Sequence, residues 1–220
     1  MKKILSKSLN DIFSKDVIVF VFQIGAAAFT LSTLFVWYFW GGLSSFIASY
    51  LSWIPWEWLQ TSGAKVMTFG LAYMIFIIVV AILTSLYSEK LLIKLAKKHY
   101  PNVEVIGTAD ISTSIFLTLK ASLIFLVLFI VLLAFIFIPI VGQIVLLYLW
   151  SVLLREPTFY DVSALFIADK KVRRIKKKKT RLLAMIASLF NYIPVLNAFA
   201  PVYAQILFLH HILGKEQPSS

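Results

Sequence analysis

The sequence predicts an all-α integral membrane protein with two long transmembrane helices and two helical hairpins that enter the membrane only partway. Hydrophobic residues make up 60% of the 220-residue chain and charged residues only 14%, whereas a soluble domain is about half apolar and about one-quarter charged. The apolar residues form long uncharged runs, and most of the 21 lysines and arginines lie in short blocks beside them. A soluble fold of this length cannot bury so much apolar surface, so lipid must surround it.

The first predicted span follows an amphipathic N-terminal segment. In residues 1–16, apolar side chains recur at near-helical spacing between lysines, which is typical of a helix on a membrane surface. Residues 17–40 are uncharged and long enough to cross a hydrocarbon core of about 30 Å. We expect Gly41-Gly42 to end this helix. Residues 43–60 are rich in Trp and Tyr and are predicted to lie at the outer interface, where such rings collect.

The second predicted span covers residues 66–88, another uncharged run. Leucines are interspersed with lysines in the residues that follow this run, so the helix is expected to continue out of the membrane to residue 99. Tyr100-Pro101 should end it, because the residue before a proline is disfavoured in helical conformation.

Residues 111–154 are predicted to form the first hairpin. The stretch is predominantly apolar and uncharged apart from Lys120, and Pro139 and Gly142 break it. A second arm starting at residue 140 would be only about 22 Å long, which is short of a comfortable crossing.

Residues 155–181 are predicted to be a basic cytoplasmic segment, and residues 182–214 a second, re-entrant hairpin. Pro194 and Pro201 divide the latter into arms of roughly 18 Å, and neither spans a bilayer alone. The basic patch consists of Lys170, Lys171, Arg173, Arg174, Lys176, Lys177, Lys178, Lys179 and Arg181. This patch is expected to face anionic lipid.

The distribution of charge predicts the orientation of the chain, which we interpret as one membrane domain covering residues 1–220. Of the 21 Lys and Arg residues, all but Lys65 and Lys120 lie in the N-terminal segment, in 89–98, in 155–181 or at the C-terminus. The positive-inside rule places these regions, and both termini, on the cytoplasmic side of the inner membrane. Six complete crossings would give the same sidedness, but the short arms favour two spans and two hairpins.

Five polar residues inside the apolar stretches are candidates for an anion path: Lys120, Gln143, Asn191, Asn197 and Gln205. Polar groups within a membrane are costly and are often functional. The four amides lie near the hairpin tips marked by Pro139, Gly142, Pro194 and Pro201, and transport proteins use broken helices to present dipoles to ions. Helix capping, interhelical hydrogen bonds and a lysine reaching the interface remain the alternative explanations.

The sequence contains no recognisable catalytic, cofactor or metal-binding motif. His210-His211 is the only histidine pair, and adjacent residues point in different directions on a helix. We therefore expect a protein that is not an enzyme and that has no metal site.

Two short motifs resemble those of a known membrane family. The final hairpin carries Ser188-Leu189-Phe190, Ile193-Pro194, Leu196-Asn197, Phe199 and Pro201-Val202, and the segment after the first span carries Trp53-Ile54-Pro55-Trp56. Both resemble the corresponding stretches of the CysZ-type sulfate permeases and their wider membrane relatives, and the order of elements agrees along almost the whole chain.

The resemblance implies two long spanning helices, partly inserted hairpins, homo-oligomers, and uptake of sulfate or a related oxyanion by a channel or permease. One departure from the family concerns the oxyanion-binding Gly-Leu-Arg element near the start of the first span. Here that region reads Phe13-Ser14-Lys15-Asp16-Val17. A non-transporting scaffold or accessory protein of the same fold is therefore the alternative function.

Overall fold

The computed structural model describes residues 2–52, 55–136, 138–178, 180–193 and 196–214, and the regular elements in these ranges are all helical. The helices are α1 (Lys2–Ile12), α2 (Lys15–Tyr50), α3 (Glu57–Tyr87), α4 (Glu89–His99), α5 (Ile111–Val131), α6 (Leu133–Ile136), α7 (Val141–Phe166), α8 (Lys170–Lys177), α9 (Thr180–Ser188) and α10 (Phe199–Leu213), with a short 3-10 helix at Leu189–Tyr192. The predicted all-α membrane fold is confirmed.

Among the described residues, three helices are long and apolar enough to cross a membrane: α2, the Gln60–Tyr87 part of α3, and α5. Two of them contain the predicted spans. The third, α5, was predicted as the arm of a hairpin. It has 21 residues, or about 32 Å of helix, which suffices for a hydrocarbon core of about 30 Å.

The predicted break at Gly41-Gly42 is wrong, because α2 continues through both glycines to Tyr50. A glycine inside a helix costs only about 1 kcal/mol relative to alanine. Breaking the helix within lipid would leave backbone amides and carbonyls unpaired, at several kcal/mol for each group. The helix therefore persists, and it packs along α3.

The aromatic stretch 43–60 is not a separate segment. Its first part completes α2, and its last part begins α3 at Glu57. Pro55 lies in the connection between them, and Trp53 and Ile54 lie outside the described residues. The predicted continuation of the second span to residue 99 is nearly correct, since only Ser88 separates α3 from α4.

The first hairpin turns sharply between α6 and α7. Pro139 lies in the turn, and Ile140 adopts a φ of 67°, which is strained for a β-branched residue. Gly142 is required here by close approach, because a Cβ atom at this position would lie 2.0 Å from the carbonyl oxygen of Ile136.

Helix α7 continues well beyond the predicted end of the hairpin at residue 154, through Pro157 to Phe166. The prediction that the basic segment begins at residue 155 is therefore wrong for its first part. Phe159, Val162 and Leu165 are buried in the main core. They recur at a spacing of three residues and so line one face of the helix, which holds it against the protein.

The second hairpin consists of α9, the 3-10 helix and α10. Helices α9 and α10 have 9 and 15 residues, roughly 14 and 22 Å, so neither crosses the membrane alone. Pro194 lies outside the described residues. Pro201 does not break the hairpin as predicted: it lies in the first turn of α10, where the missing amide hydrogen removes no intrahelical bond.

Helix α10 lies at the centre of the protein. All of its residues from Ala200 to Leu213 are buried, and it packs against α1, α7 and α9, with further contacts to α2, α3 and α4. Helix α1 matches the predicted amphipathic segment, but it buries Ser8, Asp11 and Ile12 against protein instead of lying wholly on the membrane surface.

Candidate functional site

A buried carboxylate, Asp161, lies where three helices meet the C-terminal part of α7. Ser85 of α3 donates a hydrogen bond to Oδ2 at 2.5 Å, and Ser114 of α5 donates one to Oδ1 at 2.7 Å. Gln205 of α10 also hydrogen-bonds to this carboxylate. Asp161 is 3% exposed and forms no ion pair with any described residue. Its interactions therefore tie α3, α5 and α10 to α7 without a compensating charge.

A cavity of about 220 Å³ opens beside Asp161. Its polar lining comes from Ser85, Ser88, Glu89, Thr108, Ser114 and Asp161. Burial raises the pKa of Asp161 to about 6, although the hydrogen bonds from the two serines and Gln205 act in the opposite direction. The cavity can thus bind water or a hydrogen-bonding solute, and its charge changes when Asp161 gains a proton.

A second polar centre, here called the Asp11 cluster, consists of Asp11, Lys98, His99, Tyr100 and His210. Lys98 Nζ donates to Asp11 Oδ1 at 3.0 Å, and His99 Nε2 lies 2.8 Å from Oδ2. His210 Nε2 lies 2.9 Å from the same oxygen. On the other side of its ring, His210 Nδ1 lies 2.9 Å from the hydroxyl oxygen of Tyr100.

The Asp11 cluster joins α1 to the end of α4 and to α10. Burial alone would raise the pKa of Asp11, but its hydrogen bonds with His210, His99 and Lys98 outweigh burial and hold that pKa well below its usual range. Burial also lowers the pKa of His210, against the attraction of Asp11. The carboxylate is therefore ionised at neutral pH and surrounded by nitrogen groups.

The two hairpin tips contact each other. The hydroxyl of Tyr192 donates to the carbonyl oxygen of Gln143, and Tyr73 of α3 donates to the carbonyl oxygen of Asn191 at 3.4 Å. The side chains of Asn191 and Asn197 are buried. The structure thus brings three of the predicted amide residues to one region, where two hairpins and a spanning helix meet.

The other predicted residues lie elsewhere. Gln205 belongs to the Asp161 site. Lys120 is exposed on α5, and no described interaction joins it to the hairpin tips or to either carboxylate. Lys120 is the tenth of the 21 residues of α5, so it lies near the middle of a helix that is long enough to span the membrane.

Part of the basic patch is bound to other residues of the protein. Lys177 pairs with Glu156 at 2.5 Å, Arg173 Nε donates to the carbonyl oxygen of Ile167 at 2.6 Å, and Lys176 Nζ donates to that of Ile212 at 2.8 Å. Arg181 lies over the ring of Tyr148. Lys170, Lys171 and Arg174 are exposed, and Lys179 lies outside the described residues.

Sequence reasoning did not identify Asp11, Asp161 or His99 as members of a site. Asp161 could have been identified from the sequence, because it is an acidic residue in an otherwise uncharged stretch, Pro157 to Ala168. No feature of the sequence distinguishes Asp11 or His99, since each lies near lysines in a segment with the composition of a solvated surface. Their importance arises from partners distant in the chain.

The family model described as sulfate transporter CysZ/etoposide-induced protein 2.4 matches residues 4–201. This range includes all three helices that can span a membrane. No match is found among the curated proteins or the solved structures.

Proposed function

Because the chain belongs to the family of the CysZ sulfate transporter and etoposide-induced protein 2.4, we propose that it is a channel or permease for a small oxyanion, with sulfate as the leading substrate. The observation that carries the proposal is the family match over residues 4–201. The family name describes a transporter, which agrees with the expectation that the chain is not an enzyme.

Buried polar groups support a hydrated path through the hairpins. Within the described residues, Asn191 Oδ1 and Gln205 Oε1 are buried and accept no hydrogen bond. An unpaired buried acceptor costs about 1–3 kcal/mol, so such groups are usually satisfied by water or by a solute. Asn191 lies at the hairpin tips and Gln205 beside Asp161, so the two positions are the proposed ends of an internal polar route.

The proposed location is the inner membrane, with both termini in the cytoplasm. The basic residues exposed on α8 support this orientation, because positive segments are retained on the cytoplasmic side and attract anionic lipids. The family resemblance further supports a homo-oligomer. We propose no cofactor and no nucleic-acid partner.

Sulfate flux into proteoliposomes containing the purified protein tests the proposal, with chloride and phosphate as comparators. Selective sulfate flux is the expected result. Asn197→Ala should reduce that flux, because the buried amide at the hairpin tips is removed, whereas Lys120→Gln should not. Folded protein that passes none of the three anions would overturn the proposal.

Two observations favour a non-transporting scaffold as a second candidate function. Where the sulfate permeases are expected to carry a cationic oxyanion element, Asp16 pairs with Lys94 at 2.7 Å. The cavity beside Asp161 also carries the carboxylate of Glu89, and two carboxylates repel a dianion. Absence of flux together with retained membrane assembly would favour this function.

A further inference from the structure

The Asp11 cluster brings together three side chains that commonly bind metal ions. Asp11, His99 and His210 each offer one ligand atom, and these atoms all lie within 4.8 Å of one another. They come from three separate helices, α1, α4 and α10. We propose that Asp11, His99 and His210 form a binding site for a divalent transition-metal ion such as Zn²⁺.

The spacing is close to that of a metal site. Two ligand atoms that are each about 2.1 Å from one metal lie at most about 4.2 Å apart. That limit applies to a linear arrangement, whereas at tetrahedral angles the same bonds place two ligand atoms about 3.4 Å apart. A pair at the full 4.8 Å would therefore have to close by about 1.4 Å to bind a tetrahedral metal ion. Both histidine Nε2 atoms already approach the same Asp11 oxygen, at 2.8 and 2.9 Å.

The second nitrogen of His210 is held as expected of a metal ligand. Metal-binding histidines almost always donate their other ring N–H to an oxygen, which fixes the ring and its tautomer. Nδ1 of His210 lies 2.9 Å from the Tyr100 hydroxyl, and both residues are buried. In the metal-free protein Nε2 carries the proton that it donates to the ionised Asp11. With a metal bound, the proton would lie on Nδ1 and be donated to the Tyr100 hydroxyl, which would leave the lone pair of Nε2 directed at the metal.

Lys98 is a cation that would compete with a metal ion for Asp11. Its ammonium group contacts Asp11 Oδ1 at 3.0 Å, yet its side chain is 57% exposed, so it can move into water when a metal ion arrives. His99 is 19% exposed and provides the route from the surface. Asp11 and His210 are fully buried and would close the inner side of the site.

The ligand set selects the class of metal. Two imidazoles and one carboxylate suit Zn²⁺ and neighbouring transition metals, whereas Mg²⁺ and Ca²⁺ prefer oxygen ligands alone. A metal at this position would cross-link the N-terminal helix to the central helix of the second hairpin. It would stabilise the folded protein, because a ligand that binds only the folded state raises its stability.

The test is metal titration of the full-length, tag-free protein in detergent after chelator treatment. Zn²⁺ is followed by calorimetry and Co²⁺ by its visible absorption. We expect binding of one Zn²⁺ per chain, a rise in the thermal unfolding midpoint with Zn²⁺, and no such rise with Mg²⁺. Asp11→Asn and His99→Gln should each weaken Zn²⁺ binding roughly tenfold or more.

Two further variants separate a metal site from a purely structural ion-pair cluster. Lys98→Gln removes the competing ammonium and should tighten Zn²⁺ binding if the site is real. His211→Gln is the matched control, because this histidine is adjacent to His210 but its Nε2 contacts the carbonyl oxygen of Lys176. Its Zn²⁺ affinity should equal that of the native protein.

If replacement of the buried Asp11 prevents folding, the His99→Gln variant still tests the proposal, since His99 lies at the rim of the cluster and its replacement should leave the fold intact. Folded native protein that binds neither Zn²⁺ nor Co²⁺ would overturn the proposal. Binding that survives His99→Gln unchanged, or that Lys98→Gln weakens, would overturn it equally.

Discussion

Oδ2 of Asp11 lies 2.9 Å from Nε2 of His210, although 199 residues separate the two in the chain. This contact joins α1 to α10, the first and the last of the described helices. It explains why an N-terminal segment with the composition of a surface helix has one side fully buried.

Asp11→Asn should destabilise the folded protein by roughly 1–3 kcal/mol, because hydrogen bonds to an ionised group are lost in a buried site. The thermal unfolding midpoint in detergent should fall, and proteolysis should reach α1 more readily. Asp16→Asn is the control, since its ion pair with Lys94 is 51–64% exposed and such pairs contribute about 0–1 kcal/mol. Equal effects of the two variants would contradict the role assigned to Asp11.

Asp161 should make stability depend on pH in the opposite sense from an ordinary paired carboxylate. Its pKa rises from 3.8 to about 6 on folding, so the folded state binds the proton more tightly. This tighter proton binding contributes to the free energy of unfolding, and the contribution is fully present below pH 4. It is lost as the pH rises through 6, and the loss amounts to about 3 kcal/mol.

The measurement for Asp161 is the unfolding midpoint of Asp161→Asn minus that of the native protein. This difference should be larger at pH 7.5 than at pH 5, because the native carboxylate is destabilising only when ionised. Glu104→Gln, at an exposed position, is the control. A difference that does not vary with pH would refute the prediction.

Gly142→Ala should severely destabilise the first hairpin, because the new methyl group would meet the Ile136 carbonyl oxygen at 2.0 Å. Moving the backbone to relieve such a clash costs roughly 3 kcal/mol or more. Gly41→Ala is the matched control, since no heavy atom lies within 4 Å of a Cβ there. That variant should be stabilised by up to about 1 kcal/mol, and unfolding midpoints would distinguish the two.

Single-cysteine labelling should determine the orientation directly, because the native chain contains no cysteine. Ser52→Cys, in the connection between α2 and α3, should react with an impermeant thiol reagent added outside intact cells. Lys171→Cys, on α8, should react only after the membrane is opened, because basic segments stay in the cytoplasm. The reverse pattern, or labelling of both positions from outside, would contradict a single orientation.

The helical membrane fold could be predicted from the sequence because it depends on local properties. The long uncharged runs that contain Val17 and Val66 identify spans by length and hydropathy alone, and Tyr100 before Pro101 correctly ends a helix. Predictions from single residues were less successful. Helix breaks were predicted at Gly41-Gly42 and at Pro201. The surrounding lipid favours a continuous helix at the two glycines, and Pro201 does not disrupt α10 because it lies in the first turn of that helix.

The candidate sites were only partly predictable. The amides of Asn191 and Gln205 were identified because polar groups are conspicuous in an apolar run. Their neighbours in space could not be predicted, since Gln205 lies beside Asp161 and Asn191 lies at the hairpin tips. Lys120 was conspicuous for the same reason but lies exposed on α5.

By itself, the sequence determined that this chain is helical, that it lies in a membrane and that it carries its positive charge in separate blocks. These properties follow from composition and spacing, which act over one or two helical turns. Only the tertiary structure decided which polar groups meet. Asp11, His99 and His210 converge because α10 is buried at the centre and α1 and α4 pack around it, and no local pattern encodes contacts between residues so far apart in the chain.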